Sequence, residues 1–289
     1  MTATPSRSDS PYPGLQPYTE AQRDYFFGRD GSKRVIAANL LTTRLTVLYG
    51  PSGAGKSSLL RAGVAPVLRE HRRTAVVVFS NWSSPGFVDE LKNECAGLLE
   101  NPSSPALLQL PLDDLLDRIA SERNGRVLLI LDQFEEYLLY HGESEGAGFE
   151  AELARSVNRE DVDANVLFAL REDWLSKLDR FSKRIPVLLR NRIRLAHLDT
   201  AGAEDAIRKP VEVYNSRAPS AGPIEIEDGL VRAVVEQSQS QIADPAAGGT
   251  AGADTGIRAP LLQLMMSRVW EEEARGGSRL LRLQTLERL

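Results

Sequence analysis

The chain has 289 residues, 42% apolar and 26% charged, with 35 Lys and Arg against 40 Asp and Glu for a net charge of −5. That balance fits a globular protein of roughly two domains and argues against a dedicated nucleic-acid binder, which carries a strong basic excess. A single cysteine, Cys95, excludes a disulfide framework, and no apolar run reaches the roughly 20 residues that span a bilayer, so a reducing cytosol is the expected compartment.

Residues 1–13 are rich in Ser, Thr and Pro and read as a mobile leader. An aromatic-dense segment follows, from Tyr12-Pro13-Gly14-Leu15 to Tyr25-Phe26-Phe27-Gly28-Arg29-Asp30. A free tail would not hold so many rings, so this stretch is expected to pack. Short apolar runs then recur at Leu45–Tyr49, Thr74–Ser80, Val127–Leu131, Val166–Leu170 and Ile193–Leu198. Unbroken apolar runs suit strands buried on both faces, as in a parallel sheet. Between them, Ser58–Leu68, Phe87–Leu99, Leu112–Ala120 and Phe149–Val157 carry apolar residues at spacings of three and four, the period of a helix. Alternating strands and helices predict an α/β fold, a parallel sheet flanked by helices. After about residue 200 the strands are expected to stop. Ala203–Lys209, Glu227–Gln237 and Leu261–Ala274 read as helices, and Asp244–Gly256 as a loop of small residues.

The chemistry concentrates after the first strand. Gly50-Pro51-Ser52-Gly53-Ala54-Gly55-Lys56-Ser57 matches GxxxxGK[ST] between a predicted strand and a predicted helix, which Ser58 continues. Glycines let successive backbone N–H groups curl around a phosphate, and the helix N-terminus adds partial positive charge. In this motif Lys56 reaches the β- and γ-phosphates and the Ser57 hydroxyl binds Mg²⁺. The third strand ends in Asp132, an acid placed to hold the same ion. Glu135 or Glu136 could orient an attacking water, or both could be solvated acids at a positive helix end. Arg171, at the end of the fourth strand, could sense a γ-phosphate or simply pair with Glu172 or Asp173. The run 171–194 is basic, and such a run is more often a solvated face than a nucleic-acid patch. No guanine-selecting Asn-Lys-x-Asp motif occurs, which favours ATP.

The strings Tyr12–Asp30, Gly50–Val64, Leu128–Leu138 (LLILDQFEEYL), Val166–Leu175 and Pro260–Glu272 resemble, in order, the bacterial novel STAND branch of P-loop NTPases, whose sheet is AAA+-like. The resemblance implies that Phe27 and Arg29 lie beside the adenine and that Pro260 packs near the base, although Arg258 replaces the glycine usual in that motif. It implies an acidic water-positioning role for Glu135 or Glu136 and a sensor role for Arg171. It also implies a leader with an adenine-side segment over 1–30, an NTPase domain over 31–200, a helical lid over 201–275, and the opening of a winged helix over 276–289. Sensor and effector domains are expected outside this chain. The expected function is a slowly hydrolysing Mg²⁺-dependent ATPase switch, with ADP off, ATP on, and homo-oligomers formed by the ATP state. A constitutive AAA+-type motor and a non-hydrolysing nucleotide-bound interaction module are the alternatives.

Overall fold

The computed structural model describes residues 10–142, 146–217, 222–239 and 256–289. They fall into two compact units. One comprises Gly31–Ser52 and the described part of Gly63–Leu195. The other gathers the described residues up to Asp30, Gly53–Ala62 and the described residues from Ala196 onward.

In chain order, a 3₁₀ turn (Glu20–Tyr25) precedes α1 (Asp30–Thr42) and β1 (Leu45–Gly50). Next come α2 (Lys56–Ser58), a π-helical turn (Leu59–Val64), α3 (Ala65–Glu70) and β2 (Thr74–Phe79). Three helices follow, α4 (Phe87–Ala96), α5 (Ala106–Gln109) and α6 (Leu112–Arg123), and then β3 (Arg126–Leu131). After α7 (Phe134–Tyr140) and α8 (Ala147–Asn158) come β4 (Ala164–Arg171), a 3₁₀ segment (Glu172–Phe181) and β5 (Arg192–Arg194). The chain ends with α9 (Thr200–Arg217), β6 (Glu225–Ile226), α10 (Asp228–Ser238), α11 (Ala259–Arg275), β7 (Leu280–Leu281) and α12 (Leu283–Arg288).

The first unit is built on a five-stranded parallel sheet in the order β2-β3-β4-β1-β5. Its register aligns the carboxyl ends, with Gly50 opposite Arg171 and Phe79 opposite Leu131. Every residue of β4 except Arg171 is buried, as expected for a strand covered on both faces. Leu91, Cys95, Leu115, Ile119, Leu153 and Val157 pack against the sheet and complete its core. Local chemistry sets the boundaries: Asn124, at φ 49°, closes α6 in the left-handed conformation that Asn tolerates better than most residues.

The second unit has its own core, in which Tyr12, Ile207, Val211, Val234, Met266 and Trp270 meet. The Tyr12 hydroxyl donates to the Ile207 carbonyl at 2.5 Å, so the aromatic segment is anchored as its composition suggested. At Gly28 the backbone takes φ 84°, and a Cβ there would collide with the Gly202 carbonyl. Glycine is therefore required twice over, by conformation and by the close approach of a second chain segment.

Several predicted elements differ in detail. The helix read over Ser58–Leu68 widens into a π turn before Pro66, whose ring has no N–H for the Ala62 carbonyl. The strand read over Ile193–Leu198 contracts to Arg192–Arg194, and the helix read over Phe87–Leu99 stops at Ala96. Strands do not stop at residue 200, because β6 and β7 form a short parallel pair. Helix α1 was not expected: it buries only Ile36, Ala37 and Leu40, a stripe obscured by Gly31, Ser32 and Asn39. The first nine residues of the leader, and the loop 244–256 apart from Gly256, lie outside the described residues. Among the described residues no helix is long and apolar enough to cross a membrane.

Candidate functional site

The sheet unit brings Gly50, Pro51, Ser52, Asp132 and Arg171, five of the expected site residues, to one edge. The chain leaves β1 at Gly50 and enters Pro51-Ser52 at the carboxyl edge, where β3 ends before Asp132 and β4 ends at Arg171. Gly50 is itself constrained, since a Cβ there would strike the Leu195 carbonyl. In open α/β sheets ligands bind outside this edge, because the loops and helix N-termini that can hold them gather there.

Asp132 is 1% exposed. Its N–H donates to the Phe79 carbonyl at 2.8 Å, and its Oδ1 accepts the Gln133 N–H at 3.0 Å. A hard oxygen donor of this kind suits Mg²⁺, which keeps few protein ligands and fills the rest with water and phosphate oxygens.

Glu135 and Glu136 open α7 and are both half-buried. The Glu135 carboxylate accepts the Arg171 N–H at 3.3 Å, and that of Glu136 accepts the Gln133 side-chain amide at 3.2 Å. Burial, reinforced by the negative charge of Asp132, raises the Glu136 carboxyl above the ordinary carboxylate range. Arg171 points its guanidinium at Asp173, in two bonds of 3.0 and 2.8 Å, so the pairing partner among the two weighed from sequence is Asp173 rather than Glu172. Glu172 accepts from Arg194 instead, at 3.1 Å.

The second unit holds the rest of the phosphate loop. Gly53 and Gly55 take φ 76° and 87°, the curl that turns consecutive N–H groups inward. Ala54 is buried, while Lys56, Ser57 and Ser58 at the head of α2 are half-buried. Three elements of the same unit close on this stretch. Arg29 donates to the Ala54 carbonyl at 2.7 Å. Tyr18 donates its backbone N–H to Ser58 Oγ at 3.1 Å. Pro260, at the start of α11, lies where a Cβ on Gly53 would be 3.2 Å from its Cγ. Phe27 lies elsewhere in this unit, its ring 5.9 Å from the Lys209 ammonium. Arg29 thus bonds the loop itself and Pro260 lies close beside it, while the ring contact seen for Phe27 is to Lys209 instead.

One neighbour of Asp132 escaped sequence reading. Trp82 is 0% exposed, as an ordinary core residue would be, yet its indole N–H donates to the Asp132 carbonyl at 2.7 Å. No local pattern announces this, because the two residues are brought together only by the pairing of β2 with β3.

The profile of the family described as novel STAND NTPase 1 matches residues 11–289. Solved structures with the same fold include Cdc6p from Pyrobaculum aerophilum, 15% identical, with a TM-score of 0.62 over 96% of this chain and 68% of that one. A Walker-type ATPase of Pyrococcus abyssi is 14% identical, with a TM-score of 0.57 over 95% of this chain and 73% of that one. The Aeropyrum pernix ORC2 protein, solved in ADPNP–ADP complexes, is 16% identical, with a TM-score of 0.59 over 90% of this chain and 67% of that one. No curated protein sequence is a significant match.

Proposed function

The chain belongs to the novel STAND NTPase 1 family, a P-loop NTPase family of STAND and AAA+ type, and on that premise we propose that it is an ATP-binding, slowly hydrolysing switch in a signalling or defence protein. The observation that carries the nucleotide reading is the GxxxxGKS loop, which leaves the carboxyl edge of a parallel sheet with two left-handed glycines, the same edge carrying buried Asp132.

In this reading the loop N–H groups and Lys56 bind the phosphates. Ser57 and Asp132 hold Mg²⁺, which when bound neutralises charge on the phosphate oxygens. Glu136 orients and deprotonates the attacking water. Its raised pKa brings it closer to the operating pH, where a general base is most effective. Glu135, tied to the backbone of Arg171, positions the end of β4. Arg171 senses the γ-phosphate after leaving Asp173, and Arg29 with Pro260 fixes the phosphate loop on the base side. Residues 201–275 act as the lid, and 276–289 open a winged helix. Homo-oligomers form in the ATP state. A cytosolic location, Mg²⁺ dependence and slow turnover belong to the same proposal.

The test is the nucleotide that co-purifies with the chain. Tightly held ADP, close to one per chain and absent from Lys56→Ala, is the expected result. A chain that retains nothing and turns ATP over at about 1 s⁻¹ or faster, in the ordinary range of enzymes, would contradict the switch and support a motor.

A further inference from the structure

Asp132 is followed by a backbone that a non-glycine residue seldom adopts, with Gln133 at φ 54°. Such a conformation costs roughly 1–2 kcal/mol and persists only where its surroundings hold it. What holds it is visible at both ends of the Asp132–Gln133 peptide. The carbonyl accepts the Trp82 indole N–H at 2.7 Å, and the N–H is accepted by Asp132 Oδ1 at 3.0 Å. The indole therefore fixes the plane of the peptide, and the peptide fixes the plane of the carboxylate.

Trp82 is itself immobilised. It is fully buried, with ring centroids of Phe79, Phe134, Tyr137 and Phe87 between 4.9 and 5.7 Å away. Its carbonyl is 2.7 Å from His141 Nε2, which as donor completes the bond. Arg180 in turn donates to the His141 carbonyl at 3.1 Å and pairs with buried Glu150. A buried indole must find some acceptor. Here the acceptor is the one peptide whose tilt aims the Asp132 carboxylate, and a packing role alone does not require that choice.

We infer that Trp82, backed by His141, is a positioning residue that sets the Asp132 carboxylate for the ion bound with the nucleotide. The inference rests on the ATPase reading given above. Outer partners that orient a metal ligand typically change metal affinity or activity 10- to 100-fold when removed.

The experiment is calorimetric titration of the full chain with ATP, across a range of Mg²⁺ concentrations and in EDTA. Trp82→Phe keeps an aromatic ring and removes the N–H. It is expected to raise the Mg²⁺ needed for tight ATP binding by roughly tenfold, with the EDTA affinity unchanged within about twofold. His141→Phe, at a half-buried site that accepts a ring, is expected to shift the Mg²⁺ requirement the same way by a smaller factor, and it serves as the test if Trp82→Phe does not fold. Phe87→Leu loosens the same aromatic cluster without touching the indole N–H, and should lower the melting temperature while leaving the Mg²⁺ requirement as in the parent. A parental Mg²⁺ requirement in both Trp82→Phe and His141→Phe, or a shift of equal size in Phe87→Leu, would overturn the positioning role while leaving the ATPase reading intact. A parent chain that binds no ATP would overturn both.

Discussion

Arg171 and Asp173 form a two-point pair with side chains 45% and 54% exposed. An exposed pair of this kind contributes only about 0.2–1 kcal/mol, so a γ-phosphate placed nearby can displace Asp173. Arg171→Ala should therefore abolish any preference for ATP over ADP, to within about twofold. Asp173→Asn should sharpen that preference by up to about fivefold, the fold-change equivalent to the pair energy. Equilibrium binding of both nucleotides checks this, and an unaltered ATP/ADP ratio in Arg171→Ala would remove Arg171 from the site.

Glu136 makes a second residue-scale prediction. Its carboxyl is raised in the folded chain, first by burial and then by Asp132. A raised acid favours folding while protonated and opposes it once pH exceeds the folded pKa. Glu136→Gln should accordingly raise the melting temperature of the nucleotide-free chain at pH 7 by about 1–2 °C. The gain should vanish as pH falls below the ordinary carboxylate range, where both states are neutral. Thermal melts at about pH 3 and pH 7 separate this from a pH-independent packing effect, which would leave the gain equal at both.

At the scale of elements, what was legible followed from periodicity and punctuation. Four of the five strands announce themselves as apolar runs because both faces of the sheet are covered there, while the edge strand Arg192–Arg194 does not, and the phosphate loop announces itself because only Gly serves at φ 76° and 87°. Less legible were elements whose cause leaves little trace in periodicity or lies elsewhere in the chain. The π turn before Pro66 needs the ring's conflict with Ala62, β6 and β7 exist only as each other's partners, and α1 shows too narrow a buried stripe. The site divides in the same way. Lys56, Ser57 and Asp132 carry local motifs. The Trp82–Asp132 bond and the seat of Pro260 on Gly53 arise from contacts across 50 residues or more, which no spacing encodes. The choice of Asp173 over Glu172 for Arg171 likewise depended on where Arg194 falls beside β1.

At the scale of the whole molecule, the proposed switch has its nucleotide state read out by the helical segments after residue 200. A ligand shifts such an equilibrium only through contacts that differ between its two forms. Within the second unit, Pro260 in the first turn of α11 lies beside Gly53 of the phosphate loop, and Tyr18 links Ser58 to α11 through its hydroxyl, 3.2 Å from Gln263 Oε1. Events at the loop thus have two short routes into α11, and the most direct measurement is amide hydrogen exchange of the full chain in its ADP form and in a non-hydrolysable ATP form, each with Mg²⁺. Protection should differ between the two across α9 and α11, most at the first turn of α11 around Pro260. Identical exchange in both helices, at confirmed saturation of the site, would contradict the switch.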